Sequence, residues 1–260
     1  MHTLKLGESV VTIDAGELIG YQVDGHEYIH QKGSPGWRSS DTEMFPIIGP
    51  TADAEFKVQT PKDSAVQDQH GLLREMDYKL IDASETKSVF QKKYIANTRI
   101  RNSKYPEKST KEYVFWPYDF TFTKAFLVHE KSLEVIFTVE APRDAPFMLG
   151  YHPAFKLHTK NPMVIAKKNT ISIEDILAVG SRAYEVADCQ EITLKDTHEL
   201  HIQTEGFKHF MLWTEVSNML CIEPITFYPY SVAQDELHEG FQYTQATPVE
   251  FKVRLTTKSN

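Results

Sequence analysis

Hydrophobic and polar residues alternate with a period of two along much of the chain. The alternation is clean at residues 120–123 (Phe-Thr-Phe-Thr) and near-regular at residues 249–255 (Val-Glu-Phe-Lys-Val-Arg-Leu). It has one interruption at residues 133–139 (Leu-Glu-Val-Ile-Phe-Thr-Val). Because successive side chains of a strand point to opposite faces, this period predicts strands with one buried face. The pair Asp24-Gly25, which separates two further apolar runs, predicts a tight hairpin turn.

Helical periodicity is scarce, and the pattern predicts only a short helix around residues 173–177. Turn-forming clusters rich in Gly, Pro, Asn and Ser lie at residues 33–36, 61–64, 102–106 and 144–146. Many short strands joined by such turns favour an all-β sandwich or barrel. No linker, internal repeat or low-complexity segment divides the chain, so we expect a single domain over residues 1–260.

Composition narrows the classes of function. The chain has 260 residues and a formal net charge of −8, which argues against a nucleic-acid surface because phosphate binding needs a basic face. No apolar run is long enough to cross a membrane, and no signal peptide is visible at the start of the sequence. Two unpatterned cysteines in an acidic chain predict a reduced, cytoplasmic protein. The expected assembly is a monomer or a homodimer.

One short motif is misleading. Residues 26–30 read His-Glu-Tyr-Ile-His and match the zinc-protease pattern H-E-x-x-H. That chemistry needs a helix, which places both histidines on one face a turn apart. Here the motif follows the Asp-Gly turn and precedes a Gly-Ser-Pro cluster, so it is predicted to be extended. His26 and His30 would then stand ~13 Å apart, too far to share one metal ion.

Three ionisable residues lie where the backbone is restricted. His70 precedes Gly71, His152 precedes Pro153, and Glu223 precedes Pro224. Glu223 follows the apolar run at residues 219–222, where a carboxylate is costly unless it is paired or functional. Two structural explanations remain open. Glu223 could form an ion pair with an arginine such as Arg38 or Arg74, and His152 could be a partly buried histidine at a strand end.

These three segments together resemble those of a known family. Residues 70–74 (His-Gly-Leu-Leu-Arg) are similar to the His-Gly-Phe-Ala-Arg segment of aldose 1-epimerases, or mutarotases. Residues 150–155 (Gly-Tyr-His-Pro-Ala-Phe) resemble the family's Gly-x-His-Pro-Ala-Phe, and residues 221–224 match its Cys-Ile-Glu-Pro. The order and wide spacing also agree, particularly with the short LacX-like and hexose-phosphate branches. The resemblance implies a galactose mutarotase-like β-supersandwich with a cleft on one sheet.

The resemblance also implies roles for individual residues. The family's general acid falls on His152, its general base on Glu223, and a histidine that binds a sugar hydroxyl on His70. Arg74 is a candidate sugar ligand or a brace for the site. The implied partner is a small-molecule sugar, and acid–base chemistry of this kind needs neither a cofactor nor a metal. Aromatic residues near the motifs could stack on a pyranose; they are Trp37, Tyr151, Trp213 and Phe227.

The chain departs from the family pattern at two places. Pro50 follows the Phe-Pro-Ile-Ile-Gly segment, where LacX-like relatives have an arginine. Arg38 stands at the upstream spacing used by the hexose-phosphate branch, which makes it a candidate sugar or phosphate ligand or, alternatively, one partner of a surface salt bridge. Residues 225–227 (Ile-Thr-Phe) replace the family's Trp-x-Gly after the Glu-Pro pair, so the pocket wall is expected to differ.

The leading hypothesis is an aldose 1-epimerase that acts on a free aldose. An enzyme for hexose 6-phosphates is an alternative, and it would need a basic cluster drawn from Arg38, Arg74 and lysines such as Lys57. A non-catalytic carbohydrate-binding protein is a third possibility, although binding alone requires neither an acid nor a base. A glycoside hydrolase would need two catalytic carboxylates, and only Glu223 has a convincing context.

Overall fold

The computed structural model describes residues 1–258. In this part of the chain strands dominate, which confirms the all-β prediction. There is one short α-helix, α1 (Ile173–Ala178), besides the 3₁₀ helices Ala52–Ala54, Leu73–Glu75, Pro229–Ser231 and Gln234–Gly240. The strands, in chain order, are β1 (His2–Leu6), β2 (Ser9–Asp14), β3 (Glu17–Val23), β4 (His26–Glu27), β5 (Asp41–Met44), β6 (Lys57–Gln59), β7 (Ser64–Val66), β8 (Lys79–Ala83), β9 (Lys87–Tyr94), β10 (Ile100–Arg101), β11 (Tyr113–Val114), β12 (Phe120–Val128), β13 (Ser132–Glu140), β14 (Pro146–Phe147), β15 (Gly150–Lys156), β16 (Met163–Ala166), β17 (Asn169–Ser172), β18 (Tyr184–Val186), β19 (Glu191–Lys195), β20 (Glu199–Glu205), β21 (His209–Trp213), β22 (Met219–Ile225), β23 (Gln242–Tyr243) and β24 (Val249–Lys258).

Most of these strands belong to three antiparallel sheets. The largest sheet has nine strands in the order β17-β16-β19-β20-β24-β13-β12-β9-β8. A five-stranded sheet has the order β18-β21-β22-β15-β5, and the N-terminal segment forms a four-stranded sheet, β1-β2-β3-β4. The remaining strands form the two-stranded pairs β6–β7, β10–β11 and β14–β23.

The local predictions are confirmed at the level of elements. The alternating segments lie in β12, β13 and β24, where every second residue is buried. The turn between β3 and β4 has positive φ at both central residues, 52° at Asp24 and 79° at Gly25, as a tight hairpin turn of this hand requires. The predicted helix is α1, whose first turn is closed by a capping box between Ser172 and Asp175.

The core lies between the nine-stranded and five-stranded sheets. Phe122 of β12 packs 5.4 Å from Phe45, and Phe137 of β13 packs 5.0 Å from Tyr151 of β15, measured between ring centroids. All four rings are at most 2% exposed. Contacts of this kind between the inner faces hold the five-stranded sheet in place as a layer.

A charged group interrupts this apolar interface. Lys124 lies on the inner face of β12, and its Nζ atom is 2.7 Å from Oδ2 of Asp41 and 2.6 Å from Oε1 of Glu43 on β5. The Tyr151 hydroxyl donates a further hydrogen bond of 2.7 Å to Asp41. Lys124 and Asp41 are at most 1% exposed, so each charge depends on its partners rather than on water.

The zinc-protease pattern is extended, as predicted. His26 lies in β4, and His30 is 1% exposed with its Nε2 atom 3.0 Å from the carbonyl oxygen of Trp37. The cysteines Cys189 and Cys221 are both buried and unpaired. Within residues 1–258, no helix has the length and apolar character needed to cross a bilayer.

Candidate active site

The central strands of the five-stranded sheet bring the two predicted proton-transfer residues together. β15 pairs antiparallel with β22, with Gly150 opposite Ile225 and Ala154 opposite Cys221. This register places His152 beside Glu223. The Nε2 atom of His152 lies 3.4 Å from Oε1 of Glu223.

Two prolines interrupt the sheet beside this pair. Pro153 follows His152 on β15, and Pro224 follows Glu223 on β22. Because proline has no N–H group, neither residue can donate to a neighbouring strand. The paired residues between β15 and β22 lie on either side of this gap.

Strand alternation separates the site from the buried charges beneath it. His152 is opposite Thr42 of β5, and Glu223 is opposite Met211 of β21, so these four residues share one face of the sheet. Tyr151, the neighbour of His152, points to the other face and contacts Asp41 there. The sheet therefore carries a candidate reaction site on one side and an ionic cluster on the other.

A cavity of about 420 Å³ opens above this face. Its walls are formed by Trp37, Gln69, His70, Arg74, Lys104, Lys108, His152, Ser181, Ala183, Met211, Trp213, Glu215, Glu223 and Tyr230. Five of the six site residues predicted from the sequence thus line one cavity. The volume of this cavity suits a small molecule. The sixth, Arg38, is exposed and does not line the cavity, although its neighbour Trp37 does.

The loop that carries His70 has a backbone that few residues adopt. His70 has φ of 70° and Gly71 has φ of 78°. A Cβ atom on Gly71 would lie 2.2 Å from the carbonyl oxygen of Phe45, so this position needs glycine. The amide of Gly49 donates to Nδ1 of His70 at 3.2 Å. This contact occupies the lone pair of Nδ1, so the neutral ring carries its hydrogen on Nε2, which lies 3.2 Å from the side-chain amide of Gln69.

Arg74 lies in the cavity wall without a counter-ion. Its Nη2 atom donates to the hydroxyl of Thr42 at 3.2 Å, and its Nε atom is buried without a partner. Within residues 1–258, no carboxylate lies within ion-pair distance of its guanidinium, and Arg38 likewise forms no ion pair. The ion-pair explanation of Glu223 therefore fails, since its close charged neighbour is His152.

Two of the four aromatic candidates reach the cavity. The ring of Trp37 lies 4.3 Å from that of His152, and the ring of Trp213 lies 6.3 Å from it, nearly perpendicular. Tyr151 faces the core instead, and Phe227 packs against Gly240. The indole rings thus frame His152 and leave apolar surface for a ligand.

Burial shifts the pKa values of Glu223 and His152 in opposite directions. It raises the pKa of Glu223 to about 8, an effect that the positive charge of Arg74 partly opposes. Burial lowers the pKa of His152 to about 3, and the charge of Arg74 acts in the same direction. Between these two values the pair holds one proton, and the directions of the shifts assign it to Glu223 in the free protein. Burial also lowers the pKa of His70 well below its usual range.

The donor atoms of His152, Cys221 and Glu223 lie within 4.8 Å of one another, close enough to consider a metal ion. Thiolate, imidazole and carboxylate are the ligands that Zn²⁺ prefers. Burial, however, raises the pKa of the Cys221 thiol well above its usual range and that of Glu223 to about 8. Both groups would have to lose a proton before they could act as anionic ligands, so this triad is better suited to proton transfer than to a resident metal ion.

Sequence reasoning missed part of the cavity wall. Lys104 and Lys108 come from the connection between β10 and β11, where the sequence shows only a turn cluster. Lys57, which the sequence suggested for a basic rim, instead pairs with Glu55 at 2.7 Å on the surface. The one available signal was the density of lysines in residues 104–111.

Comparisons with known proteins identify the family and the fold. The model of the family described as aldose 1-epimerase matches residues 16–212. No curated protein matches the chain significantly.

A galactose mutarotase-like protein from Lactobacillus casei has a similar structure, with a TM-score of 0.81 at 16% identity over 99% of this chain and 100% of that one. A galactose mutarotase-related enzyme from Lactobacillus acidophilus gives 0.76 at 16% identity, covering 99% and 97% of the two chains. An aldose epimerase homologue from C. elegans gives 0.68 at 9% identity, covering 99% and 98%. At such low identities the structural matches show the fold alone, which is galactose mutarotase-like.

Proposed function

Because the chain belongs to the aldose 1-epimerase family, we propose that it interconverts the α and β anomers of an aldose, with His152 and Glu223 as the proton-transfer pair. The observation that carries the proposal is the contact of 3.4 Å between these two side chains in the wall of a cavity of monosaccharide size. A catalytic acid and base must both reach the same substrate, and this pair can do so.

The reaction needs one base and one acid. The base removes the proton of the anomeric hydroxyl, and the acid protonates the ring oxygen as the bond between C1 and that oxygen breaks. The open-chain aldehyde rotates about its C1–C2 bond, and the ring oxygen then attacks the other face of C1 as the two proton transfers reverse. No electron is gained or lost, so the proposed reaction requires no redox cofactor.

A pair that holds a single proton meets this requirement in either arrangement. The resemblance to the family assigns the acid role to His152 and the base role to Glu223. The pKa shifts place the proton of the free protein on Glu223, which is 3.4 Å from His152. We propose that the reaction starts with Glu223 as the acid and His152 as the base, or that hydrogen bonds from a bound sugar to the Glu223 carboxylate first move the proton to His152. Either order gives the same net reaction.

The other cavity residues would hold the sugar. His70 offers its Nε2–H to a ring hydroxyl beside the Gln69 side-chain amide, which lies 3.2 Å from Nε2. Arg74 offers guanidinium N–H groups that lack a carboxylate partner. Trp213 and Trp37 present ring surface against which the apolar face of a pyranose can stack. Arg38 is left out of the proposed site because it does not line the cavity.

The proposal is tested by polarimetry on freshly dissolved α-D-glucose and α-D-galactose, with wild type, Glu223→Gln and a matched control, Glu205→Gln. Glu205 is exposed on the outer face of the nine-stranded sheet. We expect wild type and Glu205→Gln to accelerate anomerisation equally and Glu223→Gln to lose ~10²–10⁴-fold, the usual contribution of one positioned proton transfer. The melting temperature of each variant shows whether it is folded.

A binding-only protein would give another result. It would bind the sugars in calorimetry, and folded wild type would leave the anomerisation rate at the buffer value. Unchanged activity in a folded Glu223→Gln would remove Glu223 from the mechanism.

A further inference from the structure

Both orders of proton transfer in the proposed reaction pass through the protonated form of His152. As the base, His152 takes the proton of the anomeric hydroxyl; as the acid, it first receives the proton of Glu223, which is 3.4 Å away. Burial opposes this protonation and lowers the pKa of His152 to about 3. A group that stabilises the imidazolium cation therefore favours both orders.

The charged and titratable groups around His152 give that cation little support. Arg74, on a neighbouring 3₁₀ helix, carries a positive charge that lowers the pKa of His152 further. The ring of His70 lies 6.0 Å away, and burial keeps it neutral by lowering its pKa. Glu223 and Cys221 on β22 are largely protonated at neutral pH, because burial raises the pKa of each. Glu223 becomes negative only after it has given up its proton.

Hydrogen bonding leaves part of the imidazolium charge uncompensated as well. The charged ring has two N–H groups. Nε2 of His152 faces Glu223, whereas Nδ1 is buried and has no partner within residues 1–258. The adjacent strand β5 presents the uncharged Thr42, and the ring of Trp213 on β21 lies 6.3 Å away, nearly perpendicular. The face of the imidazole ring is the remaining place where the protein can stabilise the cation.

Trp37 covers one face of the His152 ring. The two ring centroids are 4.3 Å apart and the ring planes are inclined by 31°, close to a parallel stack. An aromatic face attracts a cation that lies within ~6 Å of its centroid, and the indole of tryptophan does so most strongly. Because His152 is only 7% exposed, water weakens this attraction little. The indole thus lies where it favours the charged form of the imidazole over the neutral form.

The loop that carries Trp37 is held in place by the protein itself. The amide of Trp37 donates to Sδ of Met219 at 3.4 Å, and its carbonyl oxygen accepts a hydrogen bond of 3.0 Å from Nε2 of His30. One position before Gly36, the carbonyl oxygen of Pro35 accepts from the side-chain amide of Asn218 at 2.8 Å. The stack on the imidazole therefore exists before a sugar binds.

We propose that Trp37 is a positioning residue of the proton-transfer pair, whose indole face stabilises the imidazolium form of His152 during anomerisation. The inference rests on the proposed function and gives Trp37 a role beyond contact with the sugar. A residue that only stacks on the sugar supports the ground state and the transition state alike, so its loss raises KM. A residue that stabilises a charge present only during the reaction acts on kcat instead.

The first test compares kcat and KM for anomerisation of glucose and galactose, measured by NMR exchange, in wild type, Trp37→Leu, Trp37→Phe and the control Arg38→Gln. Arg38 follows Trp37 in the loop but is exposed and does not line the cavity. We expect Trp37→Leu to lower kcat about 10-fold, the size of a desolvated cation–π contact, and to change KM less. Trp37→Phe should recover part of the loss, and Arg38→Gln should behave as wild type. Melting temperatures show whether each variant is folded.

A second test separates the charge of the indole face from its packing. Site-specific replacement of Trp37 by tryptophans with one, two and three ring fluorines nearly preserves the shape of the ring and withdraws negative charge from its face in steps. We expect kcat to fall with each added fluorine, while KM changes less than kcat.

The outcomes distinguish the inference from the proposed function. A higher KM with unchanged kcat in Trp37→Leu would show that Trp37 acts on the sugar alone, and the inference would be wrong. An equal fall of kcat in Trp37→Leu and Trp37→Phe that does not depend on fluorination would assign the effect to packing and would also overturn it. The absence of acceleration by wild type with both sugars would overturn the proposed function itself, and the role of Trp37 in it.

Discussion

His152 and Glu223 stand side by side on neighbouring strands, with Nε2 and Oε1 3.4 Å apart. The positive charge of Arg74 lowers the pKa of both groups, while burial alone acts on them in opposite directions. The free protein therefore carries one proton on the pair from about pH 3 to about pH 8. This single proton is the quantity from which the pH behaviour follows.

We expect kcat/KM for anomerisation to be level near pH 6–7 and to fall above about pH 8. Above the raised pKa of Glu223 the pair loses its last proton and can no longer supply an acid. The corresponding acid limb lies near pH 3, the pKa of His152. The profile is measured as the rate above the buffer blank, and a rate that climbs through pH 8 would mean that the Glu223 anion acts without a shared proton.

Replacing Arg74 should change the pH above which kcat/KM falls, which is the alkaline limb of the profile. Arg74→Met removes a positive charge that lowers the pKa of Glu223, so the limb is expected at a higher pH than in wild type. Arg74→Lys keeps the charge and should leave the limb near its original position, although the planar N–H pattern is lost. Both variants are expected to raise KM. If the limb stays fixed in Arg74→Met, the charge of Arg74 does not control the pair.

The buried ion cluster predicts a large effect on stability. Lys124→Met leaves the buried Asp41 and Glu43 without the cation that pairs with both of them, so we expect a loss of about 3–5 kcal/mol in the free energy of unfolding. Lys87→Met is the control, because Lys87 forms a surface pair with Asp82 at 3.5 Å and should cost less than about 1 kcal/mol. Urea unfolding measures both, and a similar small loss in the two variants would contradict the prediction.

A cluster of three histidines predicts sensitivity to acid. The ring of His26 lies 4.2 Å from that of His158 and 4.1 Å from that of His198. Burial, followed by repulsion from these two rings, lowers the pKa of His26 to about 4, whereas Asp196 opposes the shift. Between pH 6.5 and 4 the unfolded chain binds a proton here that the native state does not. Stability therefore falls as the pH falls.

His26→Gln should remove part of the stability loss that wild type shows as the pH falls. We expect the drop in unfolding free energy between pH 7.5 and pH 5 to be smaller than in wild type by about 1 kcal/mol, after allowance for solvent screening of a partly exposed ring. His129→Gln, at an exposed site beside Glu134, is the matched control and should keep the wild-type drop. Equal drops in all three proteins would show that the cluster does not oppose protonation.

The alternating pattern predicted the strands well, but it placed the end of β12 too early. The clean alternation at residues 120–123 is interrupted in sequence by Lys124, yet β12 continues to Val128. Lys124 occupies the next inward position and is compensated by Asp41 and Glu43 on another sheet. A lysine at an inward position looks like the end of a strand unless its partners are known, and those partners are 83 residues away along the chain in the case of Asp41.

The motif residues were singled out by their restricted local backbone together with the resemblance to a known family, and the sheet register explains why His152 and Glu223 meet. Arg38 and Lys108 show the limit of this reasoning. The sequence offered Arg38 as a candidate ligand and gave no role to Lys108, yet Arg38 is exposed outside the cavity and Lys108 lines it. Their positions depend on how the loops pack against distant strands, which local pattern does not encode.

The two faces of β15 have a consequence for how this strand can change. His152 serves the cavity, while the adjacent Tyr151 serves the ion cluster of Asp41. A side-chain substitution affects one face at a time. A single-residue insertion before Gly150 would exchange them, directing a phenol into the cavity and an imidazole towards Lys124. Length, more than composition, is therefore the property of this strand that evolution or redesign must preserve.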